Sequence, residues 1–251
     1  MTRVGTVQAL YRYPVKSTAG EALDAAALDE RGLVLDRSWA VYTEDGGIAS
    51  GKTSRRFRKV DGLLRWRSST SVRPGGGART WLHDPTGATY RVGDPAADAA
   101  VSAAFDRNLT LGAETDVRHF DDCGVHLVTT SSLRSAAGLA GGPLDPRRCR
   151  PNLVLATDGD GFGEDGWEGA ELALGGEVVL RIGPGMPRCV MVDQPQHDVA
   201  PAAPVLKALG REHDLLLGVQ AEVVTPGTVR VGDAAHVRWP ASGSRTGGGV
   251  G

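Results

Sequence analysis

Hydrophobic and polar residues alternate in short runs along most of the chain, a pattern typical of half-buried β-strands. In the first half the runs are VGTVQALYRYPV, WAVYT, IASGK, LLRWRSST, RTWLHDP and TYRVGDP, and in the second half VHLVTT, RPNLVLAT, LALGGEVVLRIG, AEVVTPGTVRVGD and AHVRWP. Segments rich in Gly and Pro separate these runs, and the DGG sequence at 45–47 predicts a hairpin turn. The alternation therefore predicts a mainly β chain.

A few segments break the alternation and predict helices. The stretch over 97–107 is rich in Ala, TTSSLRSAAGLAG carries Thr and Ser as N-caps with a Gly stop, and VLKALGREHD predicts a third, short helix. The character of the chain shifts near residue 122. We therefore predict an N-terminal β-barrel-like module over 1–120 packed on a C-terminal β-barrel over 121–240, followed by a flexible Gly/Ser tail over 241–251.

Composition narrows the functional classes. The 28 Lys and Arg residues nearly balance the 30 Asp and Glu residues, so the net charge of −2 provides no bulk attraction to nucleic acid or anionic membranes. The start of the chain lacks the long apolar stretch of a signal peptide, and no later stretch approaches the ~18 apolar residues of a membrane span. Three cysteines cannot all pair within the chain. We expect a soluble, cytoplasmic protein in a reducing compartment.

The stretch GPGMPRCVMVDQPQ, residues 183–196, contains the most informative cysteine. Cys189 directly follows Arg188 at the end of a predicted strand. A free cysteine is often a small buried hydrophobic residue, and Cys189 is open to the same interpretation. The alternative is a thiolate that holds a soft ligand, with a cation beside it. No two histidines have zinc-ligand spacing, which argues against a zinc enzyme.

Six motifs occur in an order that identifies a family. They are YPVKSTAGEAL (13–23), GLVLDRSWAVYTEDGGIASGKTSRR (32–56), RCRPNLVL (148–155), DGWEGAELALG (165–175), PRCV (187–190) and PGTVRVGDAAHV (226–237). Together they resemble the MOSC family, the molybdenum cofactor sulfurase C-terminal domain proteins, with a MOSC N-terminal β-barrel domain in front. The pattern is most similar to the amidoxime-reducing members of that family. The resemblance extends from residue 3 to about residue 239 and implies the same β-rich architecture.

The resemblance also implies a cofactor site. Cys189 matches the cysteine whose thiolate ligates molybdenum, which makes it the expected catalytic and metal-ligating residue, and the residues expected to contact the molybdopterin are Lys16, Ser17, Arg37, Thr129, Thr130, Arg150, Asn152, Pro187, Arg188 and Cys189. The cations suit the cofactor phosphate, and an amide can both donate and accept along a pterin edge. Thr129 and Thr130 match less closely, and N-capping of a helix explains them equally well. Cys123 and Cys149 are expected to be packing residues.

Two functions from different classes follow from the resemblance. The first is a molybdenum-cofactor oxidoreductase that reduces N-hydroxylated compounds such as amidoximes, hydroxylamines or N-oxides. The chain has neither a G-x-G-x-x-G fingerprint nor four cysteines, so its electrons would come from a separate ferredoxin, flavodoxin or cytochrome with a reductase. The second is a cofactor carrier or sulfur-delivery protein with a persulfide on Cys189. The sequence CVMVDQP lacks the threonines that relatives carry there, which leaves the substrate side open.

Overall fold

The computed structural model describes residues 1–72 and 77–239, so the predicted tail over 241–251 lies outside the described residues. As predicted, the chain is mainly β with a few helices. The strands are β1 Thr2–Arg12, β2 Glu21–Leu23, β3 Ala25–Asp29, β4 Gly32–Leu33, β5 Trp39–Thr43, β6 Ile48–Ser50, β7 Phe57–Lys59, β8 Arg67–Val72, β9 Ala78–His83, β10 Thr89–Arg91, β11 Leu109–Ala113, β12 Val125–Thr129, β13 Leu153–Ala156, β14 Glu171–Leu174, β15 Val178–Pro187, β16 Leu216–Thr225, β17 Gly227–Arg230 and β18 Ala234–Arg238.

Seven strands close into a barrel. The hydrogen-bonded order is β13-β12-β16-β15-β14-β18-β1, and β1 also pairs with β13, which joins the two edges of the sheet. All of these pairs are antiparallel except β12 with β13. Inward-facing aliphatic side chains fill the interior, among them Leu10, Leu127, Leu172 and Leu180, each with no exposed surface. Closure removes the unpaired sheet edges that would otherwise invite association.

The opening strand β1 belongs to this barrel, although it comes from the N-terminal end of the chain. It pairs with β13 on one side and β18 on the other. The remaining N-terminal strands form small sheets, β11-β5-β6-β7 and β10-β9-β8, around a separate core that includes Val41, Trp66 and Leu82. A further sheet joins β17 to β3 and β4. The chain leaves the barrel after β1, near residue 13, and returns to it with β2, which pairs with β1. Ala26, Leu28 and Leu33 of β3 and β4 belong to the barrel core, and the chain enters the N-terminal sheets only after them.

Three α-helices complete the described fold: α1 Pro95–Phe105, α2 Thr130–Ala140 and α3 Val205–Glu212. They correspond to the three segments in which the sequence predicts helices. The helix α2 begins at the N-cap Thr129 and ends at Gly141, whose φ of 78° is the left-handed conformation that favours glycine. Both α2 and α3 pack against the outside of the barrel through Leu133 and Leu209. In the described part of the chain, no helix has the length and apolar character needed to cross a membrane.

The contact between β1 and β13 leads to the first prediction. A Cβ added at Gly5 would lie 2.0 Å from the carbonyl oxygen of Ala156, so β1 would have to move away from β13. We expect Gly5→Ala to lower the free energy of unfolding by about 1–3 kcal/mol, measured by urea denaturation. The control is Gly138→Ala in α2, where an added Cβ meets no described heavy atom within 4 Å apart from its chain neighbours and the backbone of its own helix. It should leave stability unchanged or raise it by up to about 1 kcal/mol, and equal losses in both variants would contradict the close packing of β1.

Candidate functional site

A cavity of about 170 Å³ lies where the N-terminal sheets meet the end of the barrel. Its lining comes from the segment after β1, the loop before β12, the turn before β13 and the end of β15. The lining residues are Lys16, Ser17, Arg37, Lys52, Asp121, Asp122, Cys123, His126, Arg148, Cys149, Arg150, Asn152, Met186, Pro187, Arg188, Cys189, Met191 and Val192. Asp121, Asp122 and Cys123 also line a second cavity of about 630 Å³. The sequence-predicted residues Lys16, Ser17, Arg37, Arg150, Asn152, Pro187, Arg188 and Cys189 thus converge in one place.

Positive charge dominates this cavity. Among the described lining residues, six are basic and two are acidic: Lys16, Arg37, Lys52, Arg148, Arg150 and Arg188 against Asp121 and Asp122. Arg148 is almost completely buried, and its guanidinium donates to the backbone carbonyls of Val192, Gln194 and Ala200. These bonds use both Nη atoms, while Nε is buried without a partner among the described residues, and neutral carbonyls leave the charge uncompensated. The cavity is therefore suited to an anionic ligand.

Lys16 and Lys52 share a single carboxylate. The Lys16 Nζ lies 2.7 Å from Asp121 Oδ1, and the Lys52 Nζ lies 3.3 Å from Asp121 Oδ2. Burial lowers the pKa of Lys16 to about 8, against the opposing effect of Asp121. Burial alone would raise the pKa of Asp121, but the two lysines hold it well below its usual range. Asp121 thereby fixes both ammonium groups at the cavity wall.

Arg37 and Arg150 both lie against the ring of Tyr13. The guanidinium carbons are 5.0 Å and 4.3 Å from the ring centroid, respectively. Arg37 forms an ion pair with Asp36, whereas Arg150 donates from Nη1 to the carbonyl of Thr18 at 2.7 Å. The Nη2 atom of Arg150 is buried and has no hydrogen-bond partner within residues 1–72 and 77–239. Burial, together with the charge of Arg37, lowers the pKa of Arg150 to about 10, so its guanidinium stays charged at neutral pH.

Three residues of the cavity adopt a left-handed backbone conformation. The φ angles are 65° at Ser17, 50° at Arg37 and 55° at Arg150. Only eight non-glycine residues in the described chain have positive φ, so three of the eight line this one cavity. Residues other than Gly, Asn and Asp rarely adopt this conformation because it is sterically strained. Such backbone strain concentrates at functional sites. The backbone therefore singles out the same cavity as the charges do.

Cys189 stands at the end of β15 in a defined backbone. It is the N-cap of the 3-10 helix Val190–Asp193, and its carbonyl accepts a hydrogen bond from the Val192 N–H at 3.1 Å. The preceding Arg188 donates its backbone N–H to the carbonyl of Leu215 at 2.7 Å. Its guanidinium reaches across to the carbonyl of Cys149 at 2.8 Å. The thiol is thus fixed beside a cation, partly exposed and facing the cavity.

The other two cysteines also line this cavity, although the sequence indicated only packing roles. Cys149 is buried and contributes to the core beneath α2 and α3. Cys123 donates from its thiol to the carbonyl of Val125. Burial raises the pKa of each thiol to about 11, so both stay neutral at physiological pH. Burial likewise keeps His126 neutral, because it lowers the pKa of the imidazole well below its usual value, with Arg188 adding to the effect.

Asn152 and Ser17 face the cavity, yet their polar groups also hold the fold together. The Asn152 Oδ1 accepts from the backbone N–H of His126 at 3.1 Å, and its Nδ2 donates to the carbonyl of Tyr11 at 3.3 Å. The Ser17 hydroxyl donates to that of Ser50 at 3.2 Å. An amide has two donor hydrogens and two acceptor lone pairs, so Asn152 retains one of each for a ligand.

Thr129 and Thr130, also predicted to contact the cofactor, are not among the described residues that line the cavity. Thr129 is buried at the start of α2, where its hydroxyl donates to Glu164 Oε2 at 2.6 Å and accepts from the Ser132 N–H. The Thr130 hydroxyl donates to the carbonyl of Thr157 at 3.1 Å. Both side chains are occupied by capping and packing. Their predicted contact with the cofactor stays a prediction.

Sequence reasoning missed several lining residues. Lys52 and Arg148 stand inside the motifs GLVLDRSWAVYTEDGGIASGKTSRR and RCRPNLVL, so those motifs contained the signal. Asp121 and Asp122 lie at the change of character near residue 122, where nothing in the local pattern indicates a cavity. Their role follows only from the contact between Asp121 and the two lysines.

Comparisons with known proteins agree with this architecture. The fold is similar to the crystal structure of the YUAD protein from Bacillus subtilis, with a TM-score of 0.50, 16% sequence identity, and coverage of 93% of this chain and 94% of that one. The sequence is 26% identical to the mitochondrial amidoxime reducing component 2 of Homo sapiens, covering 94% of this chain and 84% of that protein. The protein of the same description from Bos taurus is also 26% identical, over 76% of this chain and 67% of its own length.

Two family descriptions divide most of the chain between them. Residues 4–76 match the MOSC N-terminal beta barrel domain. Residues 114–236 match the MOSC domain, and this range includes the barrel strands β12 to β16 as well as Cys189. The predicted module boundary near residue 120 remains a prediction, since β1 joins the barrel across it. The chain belongs to the MOSC family and carries the MOSC N-terminal domain in front of its MOSC domain.

Proposed function

We propose that this protein is a molybdenum-cofactor oxidoreductase that reduces N-hydroxylated compounds. The observation that carries the proposal is the cavity in which six cations surround the cysteine of the PRCV motif, with only two carboxylates among the described lining residues. An anionic, phosphate-bearing cofactor with a metal that prefers thiolate sulfur requires both features. The relatives named amidoxime reducing component support the reaction class.

The donors present fit such a cofactor. The Nη2 of Arg150 is a buried donor with no partner in the described part of the chain, and an anionic oxygen would satisfy it. Arg37 and Arg150 present planar guanidinium groups that suit a phosphate, while Lys16 adds a point charge. Asn152 retains a free donor and a free acceptor for a pterin edge. We therefore assign the phosphate to Lys16, Arg37 and Arg150, and the pterin edge to Asn152.

Cys189 anchors the metal in this proposal. Its sulfur is the soft ligand in this assignment. When bound, the molybdenum cofactor supplies the two-electron chemistry that removes oxygen from the substrate nitrogen. The second cavity shares Asp121, Asp122 and Cys123 with the first and therefore adjoins it. Electrons come from a separate ferredoxin, flavodoxin or cytochrome with its reductase.

Replacing the anchoring sulfur tests the proposal. We expect Cys189→Ser, purified from a host that makes molybdenum cofactor, to keep its fold but lose molybdenum and anaerobic amidoxime reduction driven by reduced viologen. A serine hydroxyl is a harder, less acidic group than a thiol and does not replace the thiolate. The control is Cys149→Ala, which alters a thiol lining the same cavity and should retain molybdenum.

Three other results of this experiment would contradict the proposal. Full molybdenum loading of Cys189→Ser would show that Cys189 is not the metal ligand. A loaded wild-type protein that fails to reduce amidoximes with viologen would exclude the reductase. Labile sulfur on Cys189 without molybdenum would instead support the carrier or sulfur-delivery function.

The charge of Lys16 predicts a pH dependence of anion binding. Burial lowers the pKa of Lys16 to about 8, so raising the pH through that value removes one positive charge from the cavity. We expect the affinity of the cofactor-free protein for sulfate, a dianion over this whole range, to fall roughly tenfold between about pH 7 and about pH 9. Isothermal titration calorimetry measures this affinity directly.

Lys16→Gln is the matched control for this titration. It should bind sulfate more weakly at neutral pH and show no such fall, because a glutamine amide does not titrate. An equal fall in the variant would assign the pH dependence to another group, and a flat profile in the wild-type protein would contradict the role given to Lys16.

A further inference from the structure

Tyr13 lies at the contact between two like charges of the candidate site. The guanidinium carbons of Arg37 and Arg150 are 5.0 Å and 4.3 Å from its ring centroid. Both distances are within the range in which a cation is attracted to the negative face of an aromatic ring. The ring itself is only 2% exposed, and attraction of this kind is stronger where water is excluded.

The two guanidinium groups need such a support because they repel one another. The charge of Arg37 contributes to the lowered pKa of Arg150. Arg37 has Asp36 as a partner, but the hydrogen bond of the Arg150 guanidinium is to the neutral carbonyl of Thr18. The ring of Tyr13 therefore supplies electron density to both cations.

Backbone contacts hold Tyr13 in place. Its N–H donates to Asp36 Oδ1 at 2.7 Å, and its carbonyl accepts from the Arg37 N–H at 2.8 Å. A Cβ at Gly20 would lie 2.6 Å from the Tyr13 Cδ1, so the glycine lets the chain pack directly against the ring. Asp36 thus contacts Tyr13 and Arg37 together, and the ring has little room to move.

The hydroxyl of Tyr13 takes no part in this arrangement. It is buried and has no hydrogen-bond partner among the described residues. A buried hydroxyl without a partner lowers stability, so the hydroxyl does not explain why a tyrosine occupies position 13. The aromatic face is the part of Tyr13 that the neighbouring side chains use.

We propose that Tyr13 is a positioning residue, whose ring holds the guanidinium groups of Arg37 and Arg150 together so that both bind the same tetrahedral dianion. This inference rests on the proposed function, in which that dianion is the phosphate of the cofactor. In this proposal the face of the Tyr13 ring strengthens binding of the dianion, and the Tyr13 hydroxyl does not contribute to it.

Two natural substitutions separate the ring from the hydroxyl. Tyr13→Phe keeps the ring, and we expect wild-type sulfate affinity in the cofactor-free protein and wild-type pterin content after expression in a cofactor-making host. Tyr13→Leu removes the ring, and we expect roughly tenfold weaker sulfate binding together with loss of pterin. Thermal unfolding of each purified protein identifies any effect that is only structural.

A third variant removes the attraction but keeps an aromatic ring of similar shape and only slightly larger size. Pentafluorophenylalanine at position 13 reverses the ring quadrupole, so we expect it to bind sulfate as weakly as Tyr13→Leu while unfolding at the temperature of Tyr13→Phe. Wild-type sulfate affinity in this variant would overturn the proposal. Loss of sulfate binding in Tyr13→Phe would also overturn it, because the hydroxyl would then be the functional group.

The sulfate measurement also separates this inference from the proposed function. Weakened sulfate binding in Tyr13→Leu, beside a wild-type protein that carries no molybdenum, would support the role of Tyr13 and contradict the cofactor assignment. Normal sulfate affinity and normal pterin content in Tyr13→Leu, beside a loaded wild-type protein, would contradict the role of Tyr13 alone.

Discussion

Uncompensated positive charge at the junction of the two β regions is the constraint on which the site depends. Burying a cation costs free energy unless a partner or a set of hydrogen bonds offsets it. Here the surrounding structure supplies backbone carbonyls to Arg148 and Arg188, the Tyr13 ring to Arg37 and Arg150, and one shared carboxylate to the lysines. In the proposed function, the phosphate of the cofactor supplies the negative charge that this group of cations lacks.

The architecture follows from the same requirement. The strand β1 closes the barrel and then leads directly to Tyr13, Lys16 and Ser17, so barrel closure places the first part of the site. The end of β15 brings Arg188 and Cys189 to the same point from the other side. The left-handed backbone at Ser17, Arg37 and Arg150 shows that the chain accepts local strain to direct these side chains.

Much of this could be predicted from the sequence, but for different reasons. Alternating polarity predicted the strands and Ala content predicted α1, because these are local properties; the pairing of β1 with β13 is non-local and leaves no local pattern. Family motifs predicted Lys16, Arg37, Arg150 and Cys189, which the structure brings together. Thr129 caps α2 and lies outside the cavity lining, and the sequence could not separate these roles because an N-cap and an anion site use the same residue types. The convergence of Cys123, Cys149 and Cys189 could not be read from their spacing.

The central claim is that Cys189 holds a metal inside this cationic cavity. The most direct measurement is an anomalous-difference map at the molybdenum absorption edge, from crystals of protein purified from a cofactor-making host. The account predicts a single strong peak within bonding distance of the Cys189 Sγ, with phosphate density against Arg37 and Arg150. A peak bonded to Cys123 or Cys149 instead, or molybdenum-containing crystals with no peak at the cavity, would contradict it.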